Sequence, residues 1–386
     1  MKLSHPWLML VVFAWFVLAV AVGNLSSSRH LSGNCISENL DANHPAGRAF
    51  KNDIQQALRC LSNKEEVTMP WVVLTGADWG YRGVLFNWIR HMEKISVSNY
   101  LVLCYDSRTL DVVGSFRSGG HGVLVSNCNT SEVHRSPQGV RTNVDMTQKM
   151  LMKHVAVGMA LSEGVTAVWS DVDALWLSPF LSTAVLREWT NADIVGQMGT
   201  FPETVFRKKG VSLCTGLFVV FPSHTSIAFY DHMLVTIQET GRYQSDQLAL
   251  NELLDSVGAF DHLLVDTSLD DALQWFDLPF RHFNRRRYDK EFITSRSAVN
   301  HTVLFSDPPV GIPRIGLLPF SKFPRDKTRH WKAILSGFAP SIYHMLSMKN
   351  GTRKVLEFQN DGVFMLENDW DSNTHMLWKH HSSCVF

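Results

Sequence analysis

Hydrophobic and polar positions along the chain fall into three regimes. An unbroken apolar run, "WLMLVVFAWFVLAVAV", fills Trp7–Val22. Residues 23–69 are polar and turn-rich, with one short helix predicted around Asp53–Leu61. From Pro70 onward, short β-rich apolar runs alternate with longer segments of helical period. "WVVLT" (71–75), "YLVLCYD" (100–106), "VTAVWSDVD" (165–173) and "VSLCTGLFVVFP" (211–222) read as strands. "VLFNWIRHMEKI", "MTQKMLMKHVAVGMALSEG" (146–164, closed by Gly164), "HTSIAFYDHMLVTIQETG" (224–241) and "SDQLALNELLDSVG" (245–258, with Ser245 as N-cap) read as helices. "FDHLLVD" and "ALQWFDLPF" are further strand candidates. Residues 107–145 read as irregular, and the chain beyond about residue 300 as loop-rich until "PSIYHML".

Strand–helix–strand alternation predicts an α/β fold: one domain with a mainly parallel central sheet flanked by helices. We expect it over residues 70–358, after a membrane anchor at 1–23 and a stem at 24–69, and before a polar tail at 359–386. Ligands of such sheets gather beyond the carboxyl ends of the strands. Asp78, Asp106, Asp171 and Asp173 all fall there.

The N-terminal run changes the compartment. A spanning helix wants roughly 20 apolar residues and a signal-peptide core about 7–15, so this run lies between them. An uncleaved signal-anchor is the expectation. The small residues "AVAVG" before Asn24 leave signal cleavage, and secretion, as the alternative. Four N-x-[ST] sequons, at Asn24, Asn129, Asn300 and Asn350, fit a lumenal chain. Six cysteines permit disulfides there, and none forms a C-x-x-C zinc pair. With 36 basic against 36 acidic residues, there is no surplus for a nucleic-acid partner.

The chemistry begins at "WSDVDALWLSPF", Trp169–Phe180. In an extended backbone residues i and i+2 share a face, so Asp171 and Asp173 are expected to converge at a strand end. Converged carboxylates repel unless a cation or proton lies between them. Their oxygens suit a hard divalent ion, Mg²⁺ or Mn²⁺, that keeps positions for phosphate oxygens. A helix N-cap or a surface turn would be the plainer reading. A second pair, Asp369 and Asp371, follows no strand and reads as solvated. So does the basic run at 281–290, although an acidic acceptor would suit it.

The order "VLTGADWGY", an amphipathic helix, "LVLCYD", a Lys-bearing helix and "VWSDVDALWLSPF" resembles the nucleotide-diphospho-sugar transferase domain of glycosyltransferase family 77. "TGLFVVFPS" and "SDQLALNELL" extend the resemblance over roughly residues 70–360. It implies a GT-A fold, a Golgi membrane protein of type II, and transfer with retention of configuration. The donor would be a nucleotide sugar, UDP-linked, carrying a pentose or hexose, and the acceptor a glycan or glycoprotein.

By the same resemblance, Asp171 and Asp173 hold Mn²⁺ (or Mg²⁺) against the diphosphate, with His344 as third ligand and Lys354 as a diphosphate partner. Thr75, Gly76, Ala77 and Asp78 match the nucleotide loop, and Asp106 the position for uracil or ribose. Lys149 or Lys153 would reach the phosphates or the sugar. Asp246 and Gln247 are candidates for the catalytic centre. There a carboxylate serves as nucleophile, sugar-hydroxyl partner or helix-start charge, and an amide steadies a short-lived ion pair. Gly216 would let sugar or acceptor approach its strand. Two other readings stay open: a non-catalytic carbohydrate- or partner-binding protein on this fold, and a nucleotide-sugar hydrolase.

Overall fold

The computed structural model describes residues 45–62, 69–114, 121–125, 144–240, 245–264, 311–318, 322–335, 337–344 and 350–366. All of these belong to one unit, Cys35–Phe386. The anchor expected at 1–23 lies outside them, as do three of the sequons, the basic run at 281–290 and the pair Asp369/Asp371. No described helix is long and apolar enough to cross a membrane.

The described strands are β1 (Trp71–Ala77), β2 (Tyr100–Cys104), β3 (His121–Leu124), β4 (Thr166–Ser170), β5 (Ala174–Trp176), β6 (Ile194–Gly199), β7 (Ser212–Val220), β8 (Leu263–Leu264), β9 (Ile315–Leu317) and β10 (Ile342–His344). Eight of them form one sheet in the order β3-β2-β1-β4-β7-β6-β9-β8. Within this sheet every pairing is parallel except those of β7, which runs antiparallel to β4 and β6. This is the mainly parallel α/β sheet that the alternation predicts.

Alternate residues of each strand point to opposite faces, and each face has its own core. On one, Leu74, Leu103, Ala167 and Val220 meet α1 (Pro45–Ser62), α4 (Val144–Ser162), α7 (His224–Thr240) and α8 (Asp246–Ser256). On the other, Val73, Val102, Val168 and Val219 meet α2 (Arg82–Lys94), the pair β5/β10, and α10 (Gly351–Asn360). The shorter helices are α3 (Ser107–Val113), α5 (Thr183–Glu188), α6 (Glu203–Lys209) and α9 (Lys327–Leu335).

Described residues on either side of the expected 70–358 span also pack on the sheet and its helices. Helix α1 begins at Pro45, and Phe50, Ile54, Ala57 and Leu58 bury in the core. That i, i+4, i+7, i+8 stripe packs α1, which falls within the expected stem, onto the sheet. At the other end, Val363 and Met365 are tied to α2. The Val363 carbonyl accepts from Asn87 Nδ2 (3.2 Å) and faces His91 Nε2 (2.9 Å), and Met365 N donates to Asn87 Oδ1 (2.7 Å). Helices α3, α5, α6, α9 and α10 and strands β3, β5, β6 and β9 appear where no element was expected.

Candidate active site

Two adjustments of the sheet build the site. The first is at Asp171 and Asp173, which are not in a strand. Strand β4 ends at Ser170, and the chain turns, closed by Ala174 N donating to the Asp171 carbonyl (2.9 Å). Buried Val172 occupies the core beneath. The carboxylates therefore converge through a turn, and not through strand alternation as expected.

The second is a bulge in β7. Gly196 pairs with Phe218 while Gln197 pairs with Cys214, so Thr215, Gly216 and Leu217 stand outside the β6 ladder. Bulges of this kind re-aim groups beside active sites. Here the Thr215 carbonyl accepts from Lys153 Nζ (3.0 Å), and the Gly216 carbonyl from Asp171 N (2.7 Å).

His344 arrives from far along the chain because β10 pairs antiparallel with β5, setting His344 opposite Ala174. Its Nε2 lies 3.9 Å from Asp173 Oδ1. One ligand atom from each of Asp171, Asp173 and His344 lies within 4.8 Å of the others. Gly216 makes room for the ring: a Cβ there would stand 2.4 Å from His344 Cε1 and 2.7 Å from Nε2. The space at Gly216 is thus filled by the imidazole.

Gln197 decides the protonation of that imidazole. Its Nε2 donates to the Phe323 carbonyl (2.9 Å), and its Oε1 lies 2.8 Å from His344 Nδ1. The reverse amide orientation would set two oxygens face to face. Oε1 can only accept, so Nδ1 carries the hydrogen and Nε2 keeps its lone pair toward the carboxylates. Burial also pushes the His344 pKa down, against the pull of Asp173 and Asp171. A neutral imidazole with an oriented lone pair beside two carboxylates is a fitting donor set for Mn²⁺ or Mg²⁺.

Two buried lysines surround this cluster. Lys153 Nζ lies 3.2 Å from Asp171 Oδ1 and 2.7 Å from Asp246 Oδ2. Burial opposes its charge, but the two carboxylates outweigh that and raise its pKa. Asp171 is held below the ordinary carboxylate range: burial works the other way, and Lys153 and the Trp169 indole N–H (2.7 Å) override it. Lys354 pairs with Asp173 Oδ2 and lies over the Tyr81 ring (5.5 Å). Its pKa is raised too, Asp173 overriding burial. Helix α10 can deliver Lys354 because Gly351 touches backbone: a Cβ there would be 2.6 Å from the Gly80 carbonyl oxygen.

The remaining expected residues divide by position. Thr75 and Ala77 are buried, and Gly76 is packed under Tyr105, whose hydroxyl would be 2.7 Å from a Cβ. Asp78 is half-buried and pairs with Lys149 Nζ at 3.1 Å. Asp106 caps α3, accepting from Thr109 N (2.8 Å) and Trp79 N (2.7 Å). These surround the carboxyl ends of β1 and β2. Asp246 and Gln247 open α8 after its Ser245 cap, whose Oγ accepts from Leu248 N (3.1 Å). That helix is pinned to β7 by Asn251, which takes Leu213 N on Oδ1 (2.7 Å) and donates Nδ2 to the Leu213 carbonyl (2.8 Å). Gln247 Nε2 donates to the Phe201 carbonyl (2.7 Å), and its Oε1 accepts from Arg325 Nη2 (3.3 Å).

Sequence reasoning missed Gln197, Arg325, Asn251 and Trp169. Trp169 and Asn251 stood inside the motifs "WSDVDALWLSPF" and "SDQLALNELL", but neither was singled out.

Residues 95–303, more than half of the chain, match the nucleotide-diphospho-sugar transferase family. The chain belongs to that family. Among solved structures the chain is similar to the WbbM bifunctional glycosyltransferase, at 9% identity and a TM-score of 0.43, covering 81% of this chain and 52% of that one. It thus spans about half of WbbM. It is also similar to the galactosyltransferase LgtC in complex with donor and acceptor sugar analogues (11%, TM-score 0.37, covering 78% and 99%). A third is mouse xyloside xylosyltransferase 1 (8%, TM-score 0.32, covering 54% and 92%). No curated protein matches the sequence.

Proposed function

We propose that this nucleotide-diphospho-sugar transferase moves a pentose or hexose from a UDP-sugar to a glycan or glycoprotein acceptor, with Mn²⁺ or Mg²⁺ as cofactor and with retention of configuration. The observation that carries this is the cluster Asp171, Asp173 and His344, with the His344 lone pair aimed by Gln197. When bound there, the ion would act as a Lewis acid and neutralise charge on the departing nucleoside diphosphate. Lys354, a protonated ammonium beside Asp173, would offer a point charge to the same diphosphate. Asp78 and Lys149 bound the nucleotide end, and Asp246 and Gln247 face the sugar end. Asp246 is already paired with Lys153, which tempers it as a nucleophile and suits it to holding a sugar hydroxyl.

The narrower place in glycosyltransferase family 77 rests on the motif order in the sequence. The run Trp7–Val22 and the sequons support a type II Golgi membrane protein with a lumenal domain, secretion after signal cleavage being the alternative.

Detergent-solubilised full-length protein offered a panel of UDP- and GDP-sugars with Mn²⁺ tests the reading. Nucleoside diphosphate should be released from one donor, and the release should be lost with chelator and in Asp171→Asn and Asp173→Asn. Sugar found only on water would favour the hydrolase. No donor bound or turned over would favour the binding protein.

A further inference from the structure

Among the described residues, Arg325 is a cation without a carboxylate partner in a site whose three lysines are each matched by an aspartate. Lys149, Lys153 and Lys354 each pair with an aspartate. Among the described residues, Arg325 has one hydrogen bond, the 3.3 Å contact with the neutral oxygen of Gln247, and its buried Nε has no partner. A guanidinium offers five N–H donors in a planar fork. An orphaned donor of this kind in a half-buried side chain asks for an explanation.

The backbone around Arg325 is held for a purpose. Ser341 N donates to the Lys322 carbonyl (2.7 Å), and the Phe323 carbonyl accepts from Gln197, the residue that orients His344. The chain is thereby delivered to the end of β6, where a Cβ on Gly199 would stand 2.9 Å from Arg325 Nη1.

Its place across the sheet says which substrate it faces. The nucleotide loop follows β1, and β6 is three strands away in the order β1-β4-β7-β6. At about 4.8 Å per strand, that is roughly 14 Å. The metal cluster and Asp246 stand between. Arg325 is therefore across the metal cluster from the nucleotide loop, the side left for an acceptor if the donor lies over that loop and the cluster.

We propose that Arg325 reads an oxyanion on the acceptor, so that the acceptor is an acidic sugar: a uronate carboxylate or a sulfate ester, each presenting two oxygens to the fork. This rests on the transferase reading above.

Full-length protein with Mn²⁺ and its turned-over donor is given matched acceptor probes. These are methyl glucuronide and methyl galacturonide against their carboxamides, and 6-O-sulfated methyl galactoside against methyl galactoside. In at least one pair the anionic member should be used better by roughly tenfold or more, through acceptor KM. Arg325→Gln should bring that ratio close to one, and Arg325→Lys should restore part of it. The pair that responds separates carboxylate from sulfate. Should Arg325→Gln fail to fold, added salt must still raise KM for the anionic probe and not for its neutral partner. Equal use of charged and neutral probes by the wild type overturns the inference. So does a preference that survives in Arg325→Gln, or a loss confined to donor KM, which would put the guanidinium on the diphosphate. If the wild type releases no nucleoside diphosphate from any donor, the transferase reading itself has failed and this inference falls with it.

Discussion

His344 Nδ1 lies 2.8 Å from Gln197 Oε1, an acceptor whose own amide nitrogen is committed to the Phe323 carbonyl. A residue in the middle of a buried strand thus sets which imidazole nitrogen faces Asp171 and Asp173. Replacing it by Gln197→Leu keeps approximate volume and removes that control. Outer-shell partners of metal-ligating histidines are worth about 10–100-fold in metal affinity. Titration of Mn²⁺ into the variant should show a loss in that range. Gln197→Glu still accepts from Nδ1 but sets a second oxygen against the Phe323 carbonyl, so it should recover only part of the loss. Equal affinity in all three proteins would detach Gln197 from the metal site.

Gly216→Ala tests the same imidazole from the other side. The added methyl would stand 2.4 Å from Cε1 and 2.7 Å from Nε2, so the ring must leave its place over β7. Overpacking typically costs about 1–3 kcal/mol, and here it also displaces a ligand. The expected outcome is a lowered Tm with Mn²⁺ affinity lost disproportionately. An unmoved affinity would mean that the ring relocates with its lone pair still in place.

The sheet was legible because its strands are short, apolar and β-rich, and because Gly164 and Ser245 mark helix ends in ordinary ways. Asp171 and Asp173 were legible as a pair, but the reason was not: strand periodicity suggested convergence, whereas a turn closed by Ala174 produces it. Strand β6, "IVGQMG", escaped notice because two glycines and a glutamine interrupt its apolar pattern. Gln197 escaped with it. Helix α1 was partly hidden by polar flanks, although its stripe Phe50, Ile54, Ala57 and Leu58 was there to be read. Arg325 had no local signal at all. Its role arises where β6, α8 and the segment before α9 meet, and such meetings are long-range.

Lys153 holds two carboxylates together, with Asp171 at 3.2 Å and Asp246 at 2.7 Å. Lys153 and Asp246 are buried, so solvent screens their pair little. Lys153→Met leaves both acids without their counter-charge, and breaking such a pair costs about 3–5 kcal/mol. Urea denaturation of metal-free protein should show that loss, and adding Asp246→Asn in the same chain should recover part of it. Strict additivity of the two substitutions would mean that the ion pair contributes nothing.

His154 carries the last prediction. It is fully buried beside Phe218 and Tyr230, and neither ring nitrogen makes a well-formed hydrogen bond among the described residues, the Asp246 backbone offering only a weak one. Burial lowers its pKa from 6.5 to about 4, with Lys153 adding to the effect and Asp246 and Asp171 opposing it. Above pH 6.5 both the folded and the unfolded chain hold it neutral, so it contributes no pH dependence. Below 6.5 the unfolded chain takes up a proton that the folded chain refuses. Stability therefore falls with pH until about 4, where both states are protonated. At 1.36 kcal/mol per pKa unit, the loss from this residue is about 2 kcal/mol at pH 5. A phenylalanine cannot take up that proton. His154→Phe should hence lose less stability than the wild type between pH 7 and pH 5, by about that amount, as read from urea midpoints. Parallel losses in the two proteins would mean that His154 is already matched by a group able to accept its proton.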